Sequence, residues 1–124
     1  MQNAYGSGNI EAFGGKIVMT TDGSISLEGT LAAHTIRTQK ISIDTTDATG
    51  ATLGTVILLA GESEVVVDTK AVTDSSKIFI SVPPLEYSVG VSEKIPGSGF
   101  VIRSTNPLAN DVSIDWYILD EVKN

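Results

Sequence analysis

The sequence predicts an all-β protein: a glycine-punctuated β-stalk of the intertwined β-prism or β-helix type, followed by a small jelly-roll-like β-sandwich knob. Three observations carry this expectation. Thr, Ser, Val, Ile and Gly dominate a 124-residue chain that is 41% hydrophobic and 19% charged. That is too apolar for a disordered segment and rich in the β-branched side chains that suit a pleated surface. From Gly8 to Asp44, short β-prone pieces alternate with glycine turns. Beyond Leu53, six strand-length runs recur about every ten residues, the rhythm of a sandwich or barrel.

Each piece of the first region carries one or two large aliphatics: Ile10, Ile17, Met19, Ile25, Leu27, Leu31, Ile36, Ile41 and Ile43. Gly14-Gly15, Asp22-Gly23 and Glu28-Gly29 separate them, and Asp22-Gly23 between IVMTT and SISLE is a hairpin or corner signal. One reading is a meander of three or four strands that feeds the next domain. The preferred reading is a stalk whose core is shared. So thin a ladder buries little by folding on itself, but several identical chains around one axis can pool their aliphatics. Ile17, Ile25, Leu31, Ile36 and Ile41 are the expected oligomer interface, and a homotrimer is the expected partner state. Leu31–Lys40 is a weak helix candidate, because Thr35 and Thr38 interrupt it.

The chain changes character in ATGATL, Ala48 to Leu53, which divides a stalk or oligomerisation segment (1–48) from a knob domain (49–124). The knob runs are Thr55–Leu59, Glu64–Asp68, Lys77–Val82, Tyr87–Ser92, Gly99–Ser104 and Val112–Leu119. Turn signals separate them: Ala60-Gly61, Thr73–Ser76, Pro83-Pro84, Pro96–Gly99 and Asn106-Pro107. In the last run Val112, Ile114, Trp116 and Ile118 share one face, which predicts that they point inward. Tyr87, Val89 and Val91 alternate in the same way. The expected knob core is Ile78, Ile80, Phe100, Ile114 and Trp116, with Phe79 also placed inside.

A formal net charge of −7 and scattered Lys and Arg argue against nucleic acid or an anionic membrane surface as partner. No cysteine is present, so no disulfide or thiolate site is expected. The longest apolar run, Val56–Ala60, is far short of the roughly 20 residues of a membrane helix, so no membrane insertion is expected. The opening MQNAYGSGN lacks the pattern of a signal peptide and reads as a cut from a longer polypeptide.

Catalytic constellations are sparse. His34 is the sole histidine, so a multi-histidine metal site would need three copies meeting on an axis. No nucleophile-elbow sequence accompanies it. Glu62 with Glu64, and Asp111 with Asp115, have same-face spacing on strands, the arrangement of a carboxylate pair but also of a solvated surface. Asp44, Asp47 and Thr45-Thr46 form an oxygen-rich loop without the dense acidic spacing of a calcium site. The expectation is no catalytic set, no metal and no cofactor.

GTVILLAGESEVVVDTKAVTDSSKIFISV, the Gly99-Phe100-Val101-Ile102 strand and the closing DVSIDWYILDE resemble the C-terminal knob domains of trimeric fibre proteins. These occur in bacteriophage tail fibres and virion proteins and in secreted surface proteins of bacteria. The shared pattern is a strand ending in Ala60-Gly61, an alternating Val strand, a turn with Val72-Thr73 and Ser75-Ser76, then Ile78-Phe79-Ile80, and a last strand with Asp115-Trp116. The glycine-punctuated first region is similar to the repeats that precede such knobs. Phage knobs often carry a Thr-Pro or Arg-rich loop where this chain has Pro83-Pro84-Leu85-Glu86. The resemblance implies a structural or adhesive, non-enzymatic protein. It would form the distal part of a homotrimeric fibre, extracellular, on a cell surface or in a virion, with a surface glycan or receptor as further partner. The alternative is a monomeric carbohydrate-binding β-sandwich module. It would need exposed aromatics, for which Tyr5, Phe13, Tyr87 and Tyr117 are the candidates.

Overall fold

The computed structural model describes residues 8–82 and 88–123. Three small antiparallel sheets and a single 3-10 turn at Ala48–Gly50 make up its regular structure, so the all-β expectation holds. The Leu31–Lys40 segment has no helix. Among the described residues, no helix is long and apolar enough to cross a membrane. The chain divides into two compact units, Met1–Lys40 and Ile41–Asn124.

The first unit is a meander of β1 (Ile10–Ala12), β2 (Ile17–Met19) and β3 (Ile25–Leu27), paired in sequence order. Turn chemistry explains its tight corners. Phe13, Gly14 and Gly15 all take positive φ between β1 and β2. Between β2 and β3, Gly23 takes φ +90° and Asp22 organises the loop, accepting from the Thr20 hydroxyl and, at 3.0 Å, from the Ser24 N–H. None of residues 8–50 is buried.

The second unit holds six strands: β4 (Leu53–Leu58), β5 (Glu64–Asp68), β6 (Ser76–Ser81), β7 (Val89–Ile95), β8 (Gly99–Ser104) and β9 (Val112–Asp120). They form two three-stranded sheets, β4-β9-β6 and β5-β8-β7. Only β7 and β8 are a hairpin within one sheet, and the other connections cross between sheets. The hairpin loop needs glycine twice. Gly97 takes φ +77°, and a Cβ on Gly99 would sit 1.9 Å from the Val67 carbonyl oxygen.

One apolar cluster joins the inner faces of the two sheets: Leu58, Val67, Phe100, Ile102, Val112, Ile114, Trp116 and Ile118, with Val72 and Leu108 from the connections. Phe100 and Trp116 meet edge to face with centroids 5.3 Å apart. The buried hydroxyls are all satisfied: Thr69 donates to the Ala51 carbonyl at 2.6 Å, Ser76 to Asp120 at 2.5 Å and Ser104 to the Asn106 carbonyl at 2.7 Å. Unpaired, such groups would oppose folding.

Phe79 is not inside. It is 41% exposed on the outer face of β6, while Ile78 and Ile80 pack against the core from the inner side. Successive strand residues point to opposite faces, so Phe79 cannot share a face with its neighbours. With Phe79 placed outside, Phe100 and Trp116 are the aromatic rings in the cluster.

Candidate functional site

The outer face of the β4-β9-β6 sheet is the most distinctive surface of the second unit. Strand register arranges it in rows. Leu53, Tyr117 and Phe79 lie side by side, because Leu53 pairs with Tyr117 and Tyr117 with Phe79. The next row is Thr55, Asp115 and Ser81. Beyond the polar row stand Ile57 and Ser113, and beyond the aromatic row Lys77 and Leu119. The same alternation that drives Ile114, Trp116 and Ile118 inward turns Asp115, Tyr117 and Leu119 outward.

The Phe79 and Tyr117 rings stack, with centroids 4.9 Å apart and planes within 15°. Thr55 Oγ1 donates to Asp115 Oδ1 at 2.7 Å. The two rows line a shallow depression of about 620 Å³. Beneath it, Gly54 and Trp116 lie opposite each other on the inner side of the same two strands. Lys77, the cation on this face, pairs with Glu121 at 3.7 Å.

The first unit presents a different surface. Ile25 is 69% exposed, Leu31 and Ile36 are exposed to a similar extent, as is Ile41 at the start of the second unit, and Ile17 is half-buried in β2. Leu31, Ile36 and Ile41 lie outside any strand. Of the residues expected in the knob core, Phe100 and Ile114 are fully buried, Trp116 is buried, and Ile78 and Ile80 are half-buried.

Of the carboxylates singled out in the sequence, Glu64, Asp111, Asp44 and Asp47 have partners on neighbouring residues or strands. Glu64 pairs with Arg103 at 2.6 Å across β5 and β8. Asp111 accepts from the Ala60 N–H at 2.8 Å. Asp44 and Asp47 each accept from the threonine two residues on, Thr46 and Thr49, and these hydroxyl bonds hold both carboxyl groups below the usual aspartate range. Asp22 is lowered in the same way, first by the Thr20 hydroxyl. His34 is exposed. Among the described residues, no three His, Cys, Asp or Glu side chains gather as metal ligands. Of the candidate sugar-stacking aromatics, Phe13 and Tyr117 are exposed, while Tyr5 and Tyr87 lie outside the described residues, as does Pro83–Glu86. Leu53, Thr55, Phe79 and Ser81 were not singled out as a site. The signal lay in the register that brings their strands to β9, which periodicity does not encode.

A family profile matches residues 50–119, more than half of the chain, covering nearly the whole of β4 to β9. It is described as the K1 capsule-specific polysaccharide lyase, C-terminal domain, a phage tail-spike protein family. Comparison with curated proteins and with solved structures gave no match. The profile corrects one expectation. The chain was read as non-enzymatic, yet the family is defined on a domain of a polysaccharide lyase.

Proposed function

The chain belongs to the family of the K1 capsule-specific polysaccharide lyase C-terminal domain, and on that premise we propose that it forms the homotrimeric assembly region of a phage tail-spike-type lyase. In this reading residues 1–48 are an intertwined β-prism or β-helix-type stalk, and residues 49–124 a jelly-roll-like knob. The observation that supports it most is the exposure of Ile25, Leu31, Ile36 and Ile41 in the single chain. Exposed aliphatics at this density are the mark of a surface that another chain covers. Neighbouring copies would bury Ile17, Ile25, Leu31, Ile36 and Ile41 around one axis. Tail-spike membership supports a virion or extracellular location, and a bacterial surface glycan is the partner chemistry that the family name favours.

Light scattering coupled to size-exclusion chromatography tests the proposal. The expected mass is three times that of the chain. A folded monomer at micromolar concentration would overturn it.

A further inference from the structure

Two surfaces stand open in the single chain, and their patterns match. One is the segment 29–43, in which every residue is exposed. The other is the outer face of the β4-β9-β6 sheet. We infer that segment 29–43 of one copy is an arm that lies along this face on a neighbouring copy. The inference rests on the multi-chain assembly proposed above and names the surface that receives the arm.

The arm leaves Leu31, Ile36, Ile41 and Ile43 exposed. Among the described residues it makes no backbone-to-backbone hydrogen bond, and its side-chain bonds are the local ones between Thr38 and Lys40. The face is as open, with Leu53, Ile57, Phe79, Tyr117 and Leu119 exposed on it. Apolar side chains grouped in this way mark a surface that another chain covers. The outer face of the other sheet is less suited, since Val66 stands there between Glu64 and Asp68.

The order of polarity agrees as well. Along β9 the face runs from Leu119 through the aromatic row to the Asp115 row and on to Ile57, so a carboxylate lies between apolar rows. Along the arm Arg37 and Lys40 lie between Ile36 and the Ile41-Ser42-Ile43 alternation, so cations lie between aliphatics. Seven residues of β9, from Ser113 to Leu119, span roughly 20 Å, and residues 36–43 reach about 26 Å when extended. One stretch of arm is therefore long enough to cross every row.

Charge selects the occupant. Residues 44–124 hold twelve Asp and Glu against five Lys and Arg, whereas 29–43 hold Arg37 and Lys40 and no acid. An ionised carboxylate accepts about four hydrogen bonds, and Thr55 supplies one to Asp115. Covering Asp115 without further donors would be strongly unfavourable. The arm brings a guanidinium and an ammonium to that place. Two copies meeting face to face would instead oppose two Asp115 side chains, with Lys77 already paired to Glu121. Arm and face are different surfaces, so the contact is heterologous, and repeated about an axis it closes into a ring.

The chain has no cysteine, so Gln39→Cys provides a single attachment point for a maleimide-benzophenone photocrosslinker. The labelled full chain is refolded together with nitrogen-15-labelled parent, particle mass is read by light scattering, and adducts are located by mass spectrometry after irradiation. The expected adducts join the arm of the labelled chain to residues 53–57, 77–81 or 113–119 of the heavy chain. Adducts confined to one chain, or heavy-chain adducts elsewhere, overturn the inference. As a second measurement, Arg37→Glu with Lys40→Glu should raise the concentration of half-dissociation about tenfold or more. Adding Asp115→Lys should recover assembly, and no recovery overturns the pairing. Mass and adduct position are read separately. A three-chain particle with adducts elsewhere refutes the arm and leaves the trimer, whereas a two-chain particle with adducts on the face refutes the trimer and leaves the arm. A monomer refutes both.

Discussion

Gly54 lies against the indole of Trp116, so close that a Cβ at Gly54 would stand 2.9 Å from the ring carbon Cζ2. The two are register partners on β4 and β9 and face the core together. The missing side chain at 54 is what makes room for the largest residue of β9.

That relationship gives the first prediction. Trp116→Ala should destabilise the second unit by about 3–5 kcal/mol, the range for a large aromatic lost from a core. Gly54→Val should cost about 1–3 kcal/mol by overpacking the same spot. Urea unfolding followed by circular dichroism measures both. An unchanged midpoint for Gly54→Val would mean that the indole moves aside freely.

Gly99 is constrained more severely. Its φ is +152°, and a Cβ there would meet the Val67 carbonyl oxygen, which is backbone and cannot rotate away. Gly99→Ala should destabilise by about 3 kcal/mol or more, with β5 and β8 driven apart. Gly90, whose Cβ would meet nothing within 4 Å, is the matched control. Equal stability of the two alanine variants would refute the steric argument.

Charge in the first unit should act on assembly. Ile25→Asp and Leu31→Asp are predicted to lower the particle mass at micromolar concentration, because in the proposed trimer three unpaired carboxylates would be buried around one axis. In the single chain both positions are exposed. Light scattering distinguishes the outcomes, and an undiminished mass would place the interface elsewhere.

The three aspartate turns set a pH window. Hydroxyl and backbone donors hold Asp22, Asp44 and Asp47 below the ordinary value of 3.8. A depressed folded pKa means that the turns contribute stability above 3.8, and that this contribution is lost as pH falls through the lower folded values. Carboxyl carbon shifts followed by NMR should titrate below 3.8 at all three positions. Thr46→Val should move Asp44 back up towards that value. A midpoint at or above 3.8 in the parent would show that these turns do not form in solution.

Much of the second unit was legible in sequence because its strands alternate cleanly. Glu64–Asp68 and Gly99–Ser104 coincide with β5 and β8, and the inward set Val112, Ile114, Trp116 and Ile118 is buried throughout. KIFIS was harder. Ile78, Phe79 and Ile80 are consecutive and all apolar, so hydrophobicity alone does not say which face looks inward, and size drew Phe79 wrongly into the core. The candidate face was not legible at all. Leu53, Tyr117 and Phe79 are far apart in the chain and meet only through the order β4-β9-β6. The first unit showed its turns but not its extent, since its strands stop at Leu27 and residues 28–40 have no regular structure. Spaced aliphatics mark apolar surface without saying which backbone carries it.

The position of β9 has a consequence for how the protein comes into being. It is the middle strand of its sheet, and β4 and β6, which flank it, do not pair with each other. During synthesis both therefore wait with unsatisfied edges until Val112–Asp120 emerges. Thr55 and its partner Asp115 are 60 residues apart, which at typical elongation rates is a delay of about 3 to 12 s. Through that interval the nascent chain exposes two β-prone segments with no template but other nascent chains. Ribosomes translating one message in close file would then bring like strands together before the correct partner exists, so yield should depend on translation speed and ribosome spacing as much as on the stability of the finished sheet.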